Sequence, residues 1–263
     1  MKLNDKVVLV TGAGSGMGRE LTLELVRRGA KVVAVDMHQS ALDETATLAG
    51  TGVTPFTLDV TDRAAVAALP AKVTEKLGPI DVLINNAGII QPFVPINDLT
   101  FEQAEKVMNV NFYGPFAMIK AFLPELLKRP EAHILNVSSM GAYAPVPGQS
   151  VYGASKAAVK LMTEGLRSEL MGTQVGVTVV FPGAVATNIT TNSGLAMPDV
   201  DADAPAFKQT AADVAAKKMI DAIERNKPRI TVGKDATMMD RISRISPVFA
   251  ANLIYKQMKS LLG

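Results

Sequence analysis

Short apolar runs alternate with longer amphipathic segments along most of the chain. The runs have the length of strands and lie at 6–10, 31–35, 53–58, 81–84, 133–139, 175–181 and 229–232. Segments with helical periodicity follow several of them, at 19–28, from Asp62 onward and at 151–170. Strands that alternate with helices favour a parallel sheet joined by right-handed crossovers. We therefore predict an α/β protein with a doubly wound parallel sheet and helices on both faces.

Two segments depart from this regular alternation. The first, 101–128, is typical of a helix that is interrupted near Gly114 and Pro115. The second, 188–210, is rich in Thr, Asp, Ala and Pro and has little periodicity, which predicts a long loop with a short helix. Loops of this length in compact domains are more often lids over a site than simple connections. We therefore predict a substrate lid over 188–210.

A C-terminal tail, 234–263, follows the last predicted strand and divides at Pro247 into two candidate helices with many apolar residues. Its basic residues, which exceed the acidic pair Asp235 and Asp240, are Lys234, Arg241, Arg244, Lys256 and Lys259. Three alternatives stay open: packing over the substrate pocket or against the same subunit, burial in a homo-oligomer interface, and association with an anionic membrane. Packing is favoured and membrane association is least favoured, because apolar helical stripes most often become core.

Composition narrows the class of protein. The 263 residues are 48% hydrophobic and 20% charged, which allows one large core, and one or two domains are both allowed although no linker-like stretch divides the chain. The net charge of +2 does not indicate a nucleic-acid partner. The absence of cysteine excludes disulfides and thiolate metal sites, and two histidines do not predict a metal centre. The chain has neither a signal-peptide pattern nor a membrane-length apolar run, which predicts a cytoplasmic protein.

A glycine-rich turn separates the first predicted strand from the first predicted helix. Its sequence is Thr11-Gly12-Ala13-Gly14-Ser15-Gly16-Met17-Gly18. Such a turn presents backbone N–H groups and a helix N-terminus to an anion, so a dinucleotide diphosphate is the natural ligand. The second strand ends in Asp36, whose carboxylate can bind a ribose diol and would repel a 2′-phosphate, which predicts NAD. The alternatives are a turn with no ligand and an Asp that caps a helix.

The most informative chemistry lies in a predicted helix that begins near Val151. Tyr152 and Lys156 are four residues apart and therefore share one face of this helix. A fixed cation beside a phenol favours the phenolate and would make Tyr152 an acid/base catalyst near neutral pH. Ser139 ends a buried strand thirteen residues before Tyr152 and can deliver a hydroxyl to the same place. The alternatives are an ordinary amphipathic surface for the helix and strand-end capping for the serine.

Taken together, these motifs resemble the classical type of short-chain dehydrogenase/reductase from end to end. The matching residues, in the order and spacing of that family, are Thr11-Gly12-x-x-x-Gly16-x-Gly18, Asn85-Asn86-Ala87-Gly88, Asn111, Ser139, Tyr152-x-x-x-Lys156 and Pro182-Gly183. The resemblance implies a single Rossmann-type domain over 1–263, with a parallel sheet of about seven strands. It also implies assembly into homotetramers or dimers.

The resemblance also implies roles for individual residues. Tyr152 would be the acid/base, Lys156 would lower its pKa and hold the nicotinamide ribose, Ser139 would position the substrate oxygen, and Asn111 would support a proton-relaying water. The implied cofactor-binding residues are Gly12, Ser15, Gly16, Met17, Gly18, Asp36, Asp59, Val60, Asn86, Ala87, Gly88, Tyr152, Lys156, Pro182, Gly183, Val185 and Thr187.

The predicted reaction is hydride transfer between NAD(H) and a secondary alcohol or ketone, with the protein supplying alignment and charge stabilisation. The predicted lid contains Ile189, Leu195, Met197 and Phe207, which favours a mostly apolar substrate. The alternative function is an NAD-binding regulatory module or a structural oligomer with little turnover. The intact set of Asn111, Ser139, Tyr152 and Lys156 favours the enzyme.

Overall fold

The computed structural model describes residues 1–187, 189–195 and 209–258. Within this part of the chain, seven parallel strands form one sheet in the order β3-β2-β1-β4-β5-β6-β7. The strands are β1 (Val7–Thr11), β2 (Lys31–Asp36), β3 (Val53–Thr57), β4 (Val82–Asn85), β5 (Ala132–Val137), β6 (Val175–Pro182) and β7 (Arg229–Val232). The predicted doubly wound parallel sheet is confirmed, and each observed strand lies within one or two residues of its predicted bounds.

Helices cover both faces of the sheet. They are α1 (Gly16–Arg27), α2 (Gln39–Ala49), α3 (Arg63–Leu77), α4 (Phe101–Met108), α5 (Gly114–Leu126), α6 (Ser150–Glu169), α7 (Ile189–Asn192), α8 (Ala212–Glu224), α9 (Lys234–Ile245) and α10 (Pro247–Met258). One core cluster joins the sheet to α1, α2 and α8, and a second joins it to α3, α5 and α6. Because both faces are covered, β1, β4 and β5 are buried along their whole length, which explains why the strands are continuous apolar runs in the sequence.

The strand order reverses between β1 and β4, which are neighbours in the sheet although two strands separate them in the chain. In an open α/β sheet the crevice at such a switch point, outside the carboxyl ends of the strands, is where ligands bind. The glycine-rich turn follows β1 and the segment Asn86-Ala87-Gly88 follows β4. The topology therefore brings these two predicted motifs to the same edge of the sheet, which we call the carboxyl edge.

The interruption predicted at Gly114 and Pro115 is a change of helix type that begins earlier. A π-helix, Asn109–Tyr113, joins α4 directly to α5. Pro115 has no N–H to bond to the carbonyl four residues before it, which belongs to Asn111, so regular α-helical bonding fails in the preceding turn. Gly114 then lets α5 approach Val60, whose Cγ2 would lie 2.9 Å from a Cβ at that glycine. The irregular turn therefore falls at Asn111, one of the predicted site residues.

The predicted lid lies mostly outside the described residues, which include only 189–195 and 209–210 of the segment 188–210. The short helix predicted there is present as α7, and Met197 and Phe207 fall outside the described part. A parallel bridge joins Val185 to Thr210, so the two ends of the segment lie side by side.

The tail forms the two predicted helices, divided at Pro247, and residues 259–263 lie outside the described part. One side of the tail packs within the subunit, where Met239, Ala250 and Ile254 form a core cluster with Ala144. The other side leaves large apolar side chains exposed, at Ile245, Val248, Phe249 and Tyr255. Packing within the subunit thus accounts for one face of the tail. Among the described residues, no helix is long and apolar enough to cross a bilayer.

Two helical glycines provide a test of how closely α1 must approach the sheet. A Cβ at Gly18 in α1 would overlap the Gly12 carbonyl and lie 2.7 Å from Asn86 Nδ2, whereas a Cβ at Gly165 in α6 would meet nothing within 4 Å. We expect Gly18→Ala to lower the free energy of unfolding by at least about 1–3 kcal/mol, because the backbone at Gly12 must move. Gly165→Ala is the matched control, and we expect it to raise that free energy by about 0.5–1 kcal/mol. Urea unfolding measures both changes, and a Gly18→Ala protein as stable as wild type would contradict the close packing.

Candidate active site

The loops after β1 and β4 are joined by Thr11, the last residue of β1. Its Oγ1 accepts hydrogen bonds from the backbone N–H groups of Asn86, at 3.0 Å, and Ala87, at 3.1 Å. Asn86 Nδ2 in turn donates to the Thr11 carbonyl at 3.0 Å. Thr11 is buried, so these bonds form away from solvent. In the sequence Thr11 is only the first residue of the glycine motif, and no local pattern indicates that it fixes the neighbouring loop.

The glycine-rich turn has the geometry of an anion cradle. Gly12 and Gly16 adopt positive φ angles of 68° and 49°, which glycine tolerates and other residues rarely do. Ser15, at the N-cap of α1, makes no side-chain bond to the helix. Its Oγ instead accepts a hydrogen bond from Asn192 Nδ2 at 2.7 Å. The N–H groups in the first turn of α1 are therefore left for a bound anion, and these residues fit a dinucleotide diphosphate.

Asp36 lies beside this turn at the end of β2. Its Oδ2 accepts a hydrogen bond from Gly14 N at 3.0 Å, and its Oδ1 accepts one from His38 N at 3.1 Å. Oδ1 also lies 3.3 Å from His38 Nδ1, whereas Oδ2 has a second lone pair that can still accept a bond from a ribose hydroxyl. The carboxylate is thus held beside the glycine turn, at the end of β2.

Asp59 and Val60 continue the carboxyl edge beyond Asp36. The Asp36 carbonyl accepts a hydrogen bond from Leu58 N at 2.9 Å, which places the next two residues at the end of β3. Asp59 Oδ1 accepts from Thr61 N at 2.8 Å and so shapes its own turn, while Val60 is buried. Both residues lie at the carboxyl edge. In the described residues the Asp59 side chain makes no hydrogen bond to the glycine turn.

Three predicted catalytic side chains meet where β5 ends and α6 begins, namely those of Ser139, Tyr152 and Lys156. Lys156 is 4% exposed, its Nζ donates to the Val137 carbonyl at 3.2 Å, and this Nζ lies 5.9 Å from the centre of the Tyr152 ring. A Cβ at Gly141 would lie 3.4 Å from Tyr152 Cε1 and 3.5 Å from Ser139 Oγ, so the two side chains lie side by side, and the Ser139 hydroxyl acts to lower the pKa of the phenol. A Cβ at Gly88 would lie 3.0 Å from Lys156 Nζ, so the glycine leaves the gap that the lysine enters.

Burial controls the proton affinity of this pair. It lowers the pKa of Lys156 to about 8, because an ammonium is poorly solvated there. It raises the pKa of Tyr152, and the neighbouring Ser139 hydroxyl opposes that rise. The direction for Tyr152 differs from the sequence-based expectation of a pKa lowered by Lys156, because desolvation of the phenolate is the largest effect. Lys156 and Tyr152 nevertheless lie close enough that the charge of either group affects the pKa of the other.

Asn111 lies in the π-helix and is fully buried. Its Oδ1 accepts from Ile89 N and its Nδ2 donates to the Ile89 carbonyl, both at 2.9 Å. Nδ2 also donates to Ser155 Oγ at 3.0 Å, and Ser155 Oγ donates to the Tyr152 carbonyl at 2.7 Å. The side chain of Asn111 therefore ties the loop after β4 to helix α6. π-Helical turns occur frequently at functional sites.

The loop after β6 runs from Pro182 to the glycine turn. Val185 bridges to Thr210, and the Thr187 side chain lies against Gly16, where a Cβ would be 3.2 Å from Thr187 Cβ. Gly183 has no room for a side chain because the carboxylate of Asp235 fills that space. The loop therefore closes one side of the crevice, with its predicted residues Pro182, Gly183, Val185 and Thr187 in sequence along it.

The start of the tail holds both this loop and the segment after β5. Asp235 Oδ2 accepts a hydrogen bond from Ala184 N at 2.7 Å. Tyr143, four residues after Ser139, donates from its hydroxyl to the Ala236 carbonyl at 2.9 Å, and its ring packs at 5.3 Å against Phe181. Sequence analysis missed these contacts, because it treated Asp235 as one tail charge among several. They support the packing alternative for the tail.

Comparison with known proteins identifies the family. The model of the short chain dehydrogenase family matches residues 6–197, which is well over half of the chain. The protein therefore belongs to the short-chain dehydrogenase/reductase family, as the sequence motifs predicted.

Relatives in this family are candidate oxidoreductases. SadH of Mycobacterium tuberculosis is 36% identical over 250 residues, and the match covers 91% of this chain and 90% of SadH. EphD of the same organism is 36% identical over 258 residues and matches 92% of this chain. The chain spans only 43% of the length of EphD, so the two proteins are similar over one part of EphD alone.

Solved structures share the fold over nearly the whole chain. A short chain dehydrogenase/reductase from Burkholderia phymatum in complex with NAD has a TM-score of 0.84 and 26% identity, and the match covers 96% of this chain and 97% of that one. A short chain dehydrogenase from Burkholderia cenocepacia in complex with NADP has a TM-score of 0.81 and 29% identity, with 97% and 99% covered. Proteins with this fold thus bind either dinucleotide.

Proposed function

We propose that the protein transfers a hydride between NAD(H) and a secondary alcohol or ketone of mostly apolar character. The observation that carries this proposal is the meeting of Ser139, Tyr152 and Lys156 at the same edge of the sheet as the glycine turn and Asp36. Membership of an oxidoreductase family supports the reaction class. A regulatory or structural role would not require a buried lysine beside a phenol and a serine hydroxyl.

The proposed mechanism divides the work among three side chains. NAD, when bound, supplies the acceptor for the hydride that leaves the alcohol carbon. Tyr152 accepts the proton of the alcohol hydroxyl, and Ser139 donates a hydrogen bond to the oxygen that becomes the carbonyl. The ammonium of Lys156 stabilises the phenolate form of Tyr152 in this step and, by the family resemblance, holds the nicotinamide ribose. Ketone reduction follows the same path in reverse, with Tyr152 as the acid.

The proposed cofactor site follows the carboxyl edge. Backbone N–H groups of the turn Gly12–Gly18 would hold the diphosphate, and Asp36 would accept the hydroxyls of the adenosine ribose. Asp59, Val60 and the segment Asn86-Ala87-Gly88 would contact the adenosine end. The loop from Pro182 to Thr187 would contact the nicotinamide end, where its link to Asp235 supports a fixed position.

Apolar side chains near Ser139 support an apolar substrate. Met140, Tyr143 and Val146 follow Ser139 and pack, only partly buried, against the cluster formed with the tail. A substrate whose oxygen lies at Ser139 and Tyr152 would extend past these side chains. Ile189 and Leu195 of the lid segment add apolar surface in the described part of 188–210.

We also propose a homo-oligomer, a tetramer or a dimer, built from single-domain subunits. Large apolar side chains on α4, at the end of the π-helix, at the start of α5 and on α6 are exposed in the subunit, namely Phe101, Tyr113, Phe116 and Leu161. Interfaces between subunits commonly bury such side chains. Sedimentation equilibrium tests this proposal, and a monomeric mass at micromolar concentration would contradict it.

The mechanism predicts that Tyr152→Phe removes turnover and leaves cofactor binding. The substitution keeps the ring and deletes the ionisable hydroxyl, so we expect kcat to fall by about 10²–10⁴-fold and the Kd for NAD to change by no more than about threefold. Steady-state kinetics and NAD titration measure the two effects. Tyr255→Phe, at a half-exposed position of the tail, is the matched control. A Tyr152→Phe enzyme within a few-fold of wild type would refute the proposed acid/base.

The position of Asp36 predicts a preference for NAD over NADP. A carboxylate beside a 2′-phosphate is repulsive, and Arg19, which contacts the turn at the Gly14 carbonyl, is already paired with Glu44 at 2.7 and 2.8 Å. We expect kcat/KM to favour NAD by about a hundredfold or more, and Asp36→Ala to reduce that ratio. Asp43→Ala, on the exposed side of α2, is the control. Equal use of both dinucleotides by the wild type would show that Asp36 does not select the cofactor.

A further inference from the structure

Gln91 is a buried polar residue that the mechanism above does not use. It lies three residues after Gly88, in the loop after β4, and is 1% exposed. Its Oε1 accepts hydrogen bonds from the backbone N–H groups of Val151, at 2.9 Å, and Tyr152, at 2.8 Å. Its Nε2 donates to the Gly148 carbonyl at 2.8 Å. One side chain therefore bonds to three backbone groups around the start of α6.

These bonds replace a missing helix cap. The first backbone N–H groups of a helix have no partner within the helix, and a side chain at the N-cap usually supplies one. In α6 the N-cap residue, Gln149, makes no such bond. Gln149 Nε2 instead donates to the Gln91 carbonyl at 2.7 Å. The cap for the helix that carries Tyr152 thus comes from a loop sixty residues earlier in the chain.

The loop that supplies this cap is itself held in place. Asn111 bonds to both the N–H and the carbonyl of Ile89, and Ile90 N donates to Ser193 Oγ at 3.0 Å. Asn111 also reaches the Tyr152 carbonyl through Ser155. The backbone N–H and the backbone carbonyl of Tyr152 are therefore both connected to the loop after β4, the first through Gln91 and the second through Asn111.

We propose that Gln91 is a positioning residue for the reaction, which holds the first turn of α6 so that the Tyr152 phenol meets the substrate oxygen beside Ser139. This inference rests on the proposed function of Tyr152. Tyr152 is the third residue of α6, and the first turn of a helix without a cap is the part that opens most readily. A displacement of about 1 Å at a reacting group can cost a hundredfold in rate. Loss of Gln91 therefore affects kcat more than cofactor affinity.

The test compares two substitutions at Gln91. Gln91→Met keeps the length of the side chain and removes all three hydrogen bonds. We expect kcat to fall at least about tenfold at a temperature well below the unfolding transition, while the Kd for NAD changes by no more than about threefold. Gln91→Glu keeps an acceptor for the Val151 and Tyr152 N–H groups, and we expect it to recover most of the lost rate. Its added charge opposes the phenolate, so its pH–rate profile moves to higher pH.

Thr178→Val is the control for a purely structural effect. Thr178 is buried in β6 and its hydroxyl bonds to His133 Nε2 at 2.7 Å and to the Lys227 carbonyl at 2.6 Å, away from the carboxyl edge. We expect it to lose stability with kcat within twofold of wild type. A Gln91→Met enzyme that loses stability in the same way and keeps its kcat would overturn the inference.

Hydrogen exchange separates this inference from the proposed function. We expect the Val151 and Tyr152 amides to exchange at least about tenfold faster in Gln91→Met than in Thr178→Val, because only the first protein lacks their acceptor. This measurement needs no turnover. If the wild type oxidises no secondary alcohol, the proposed function fails, and unchanged exchange at these two amides would separately overturn the role of Gln91.

Discussion

Lys156 carries an ammonium group almost entirely out of water at the carboxyl edge of the sheet. Burial lowers its pKa to about 8, so the folded chain bears a free-energy cost whenever this group is charged. Among the described residues no carboxylate pairs with it, and its Nζ donates to the Val137 carbonyl. The gap that receives it exists because residue 88 is glycine. The neighbouring elements are arranged around this charge, and its proximity to Tyr152 is what gives the edge its proposed chemistry.

Long-range hydrogen bonds keep that arrangement fixed. Thr11 joins the loops after β1 and β4, Asn111 and Gln91 join the second of these loops to α6, and Asp235 joins the tail to the loop after β6. Each bond links segments that are far apart in the chain and close at one edge of the sheet. Because solved relatives bind NAD or NADP on the same fold, the fold alone does not select the cofactor, and the proposed selectivity of this chain rests on a local group, Asp36.

The sequence predicted the features that have a local physical signal. Buried parallel strands are continuous apolar runs, helices have their own period, and the glycine turn and the Tyr152 to Lys156 spacing are short motifs. Contacts between segments far apart in the chain were not predictable, because they leave no periodic pattern in the local sequence. Nothing near Gln91 indicates that it caps a helix sixty residues later, and nothing near Asp235 indicates that it supports Ala184. The pKa of Tyr152 shifts opposite to the sequence-based expectation for the same reason, since burial depends on the whole fold.

The buried charge of Lys156 can be tested directly by comparing wild type with Lys156→Met in urea unfolding from pH 7 to 9.5. Between its folded pKa of about 8 and its usual 10.5, the lysine is protonated in the unfolded chain and increasingly neutral in the folded one, so wild-type stability rises with pH in that window. The full cost below pH 8 is about 3 kcal/mol. The account predicts that Lys156→Met is inactive, more stable than wild type at pH 7, and that this advantage shrinks as pH rises. A variant that is less stable at pH 7, or a difference independent of pH, would contradict it.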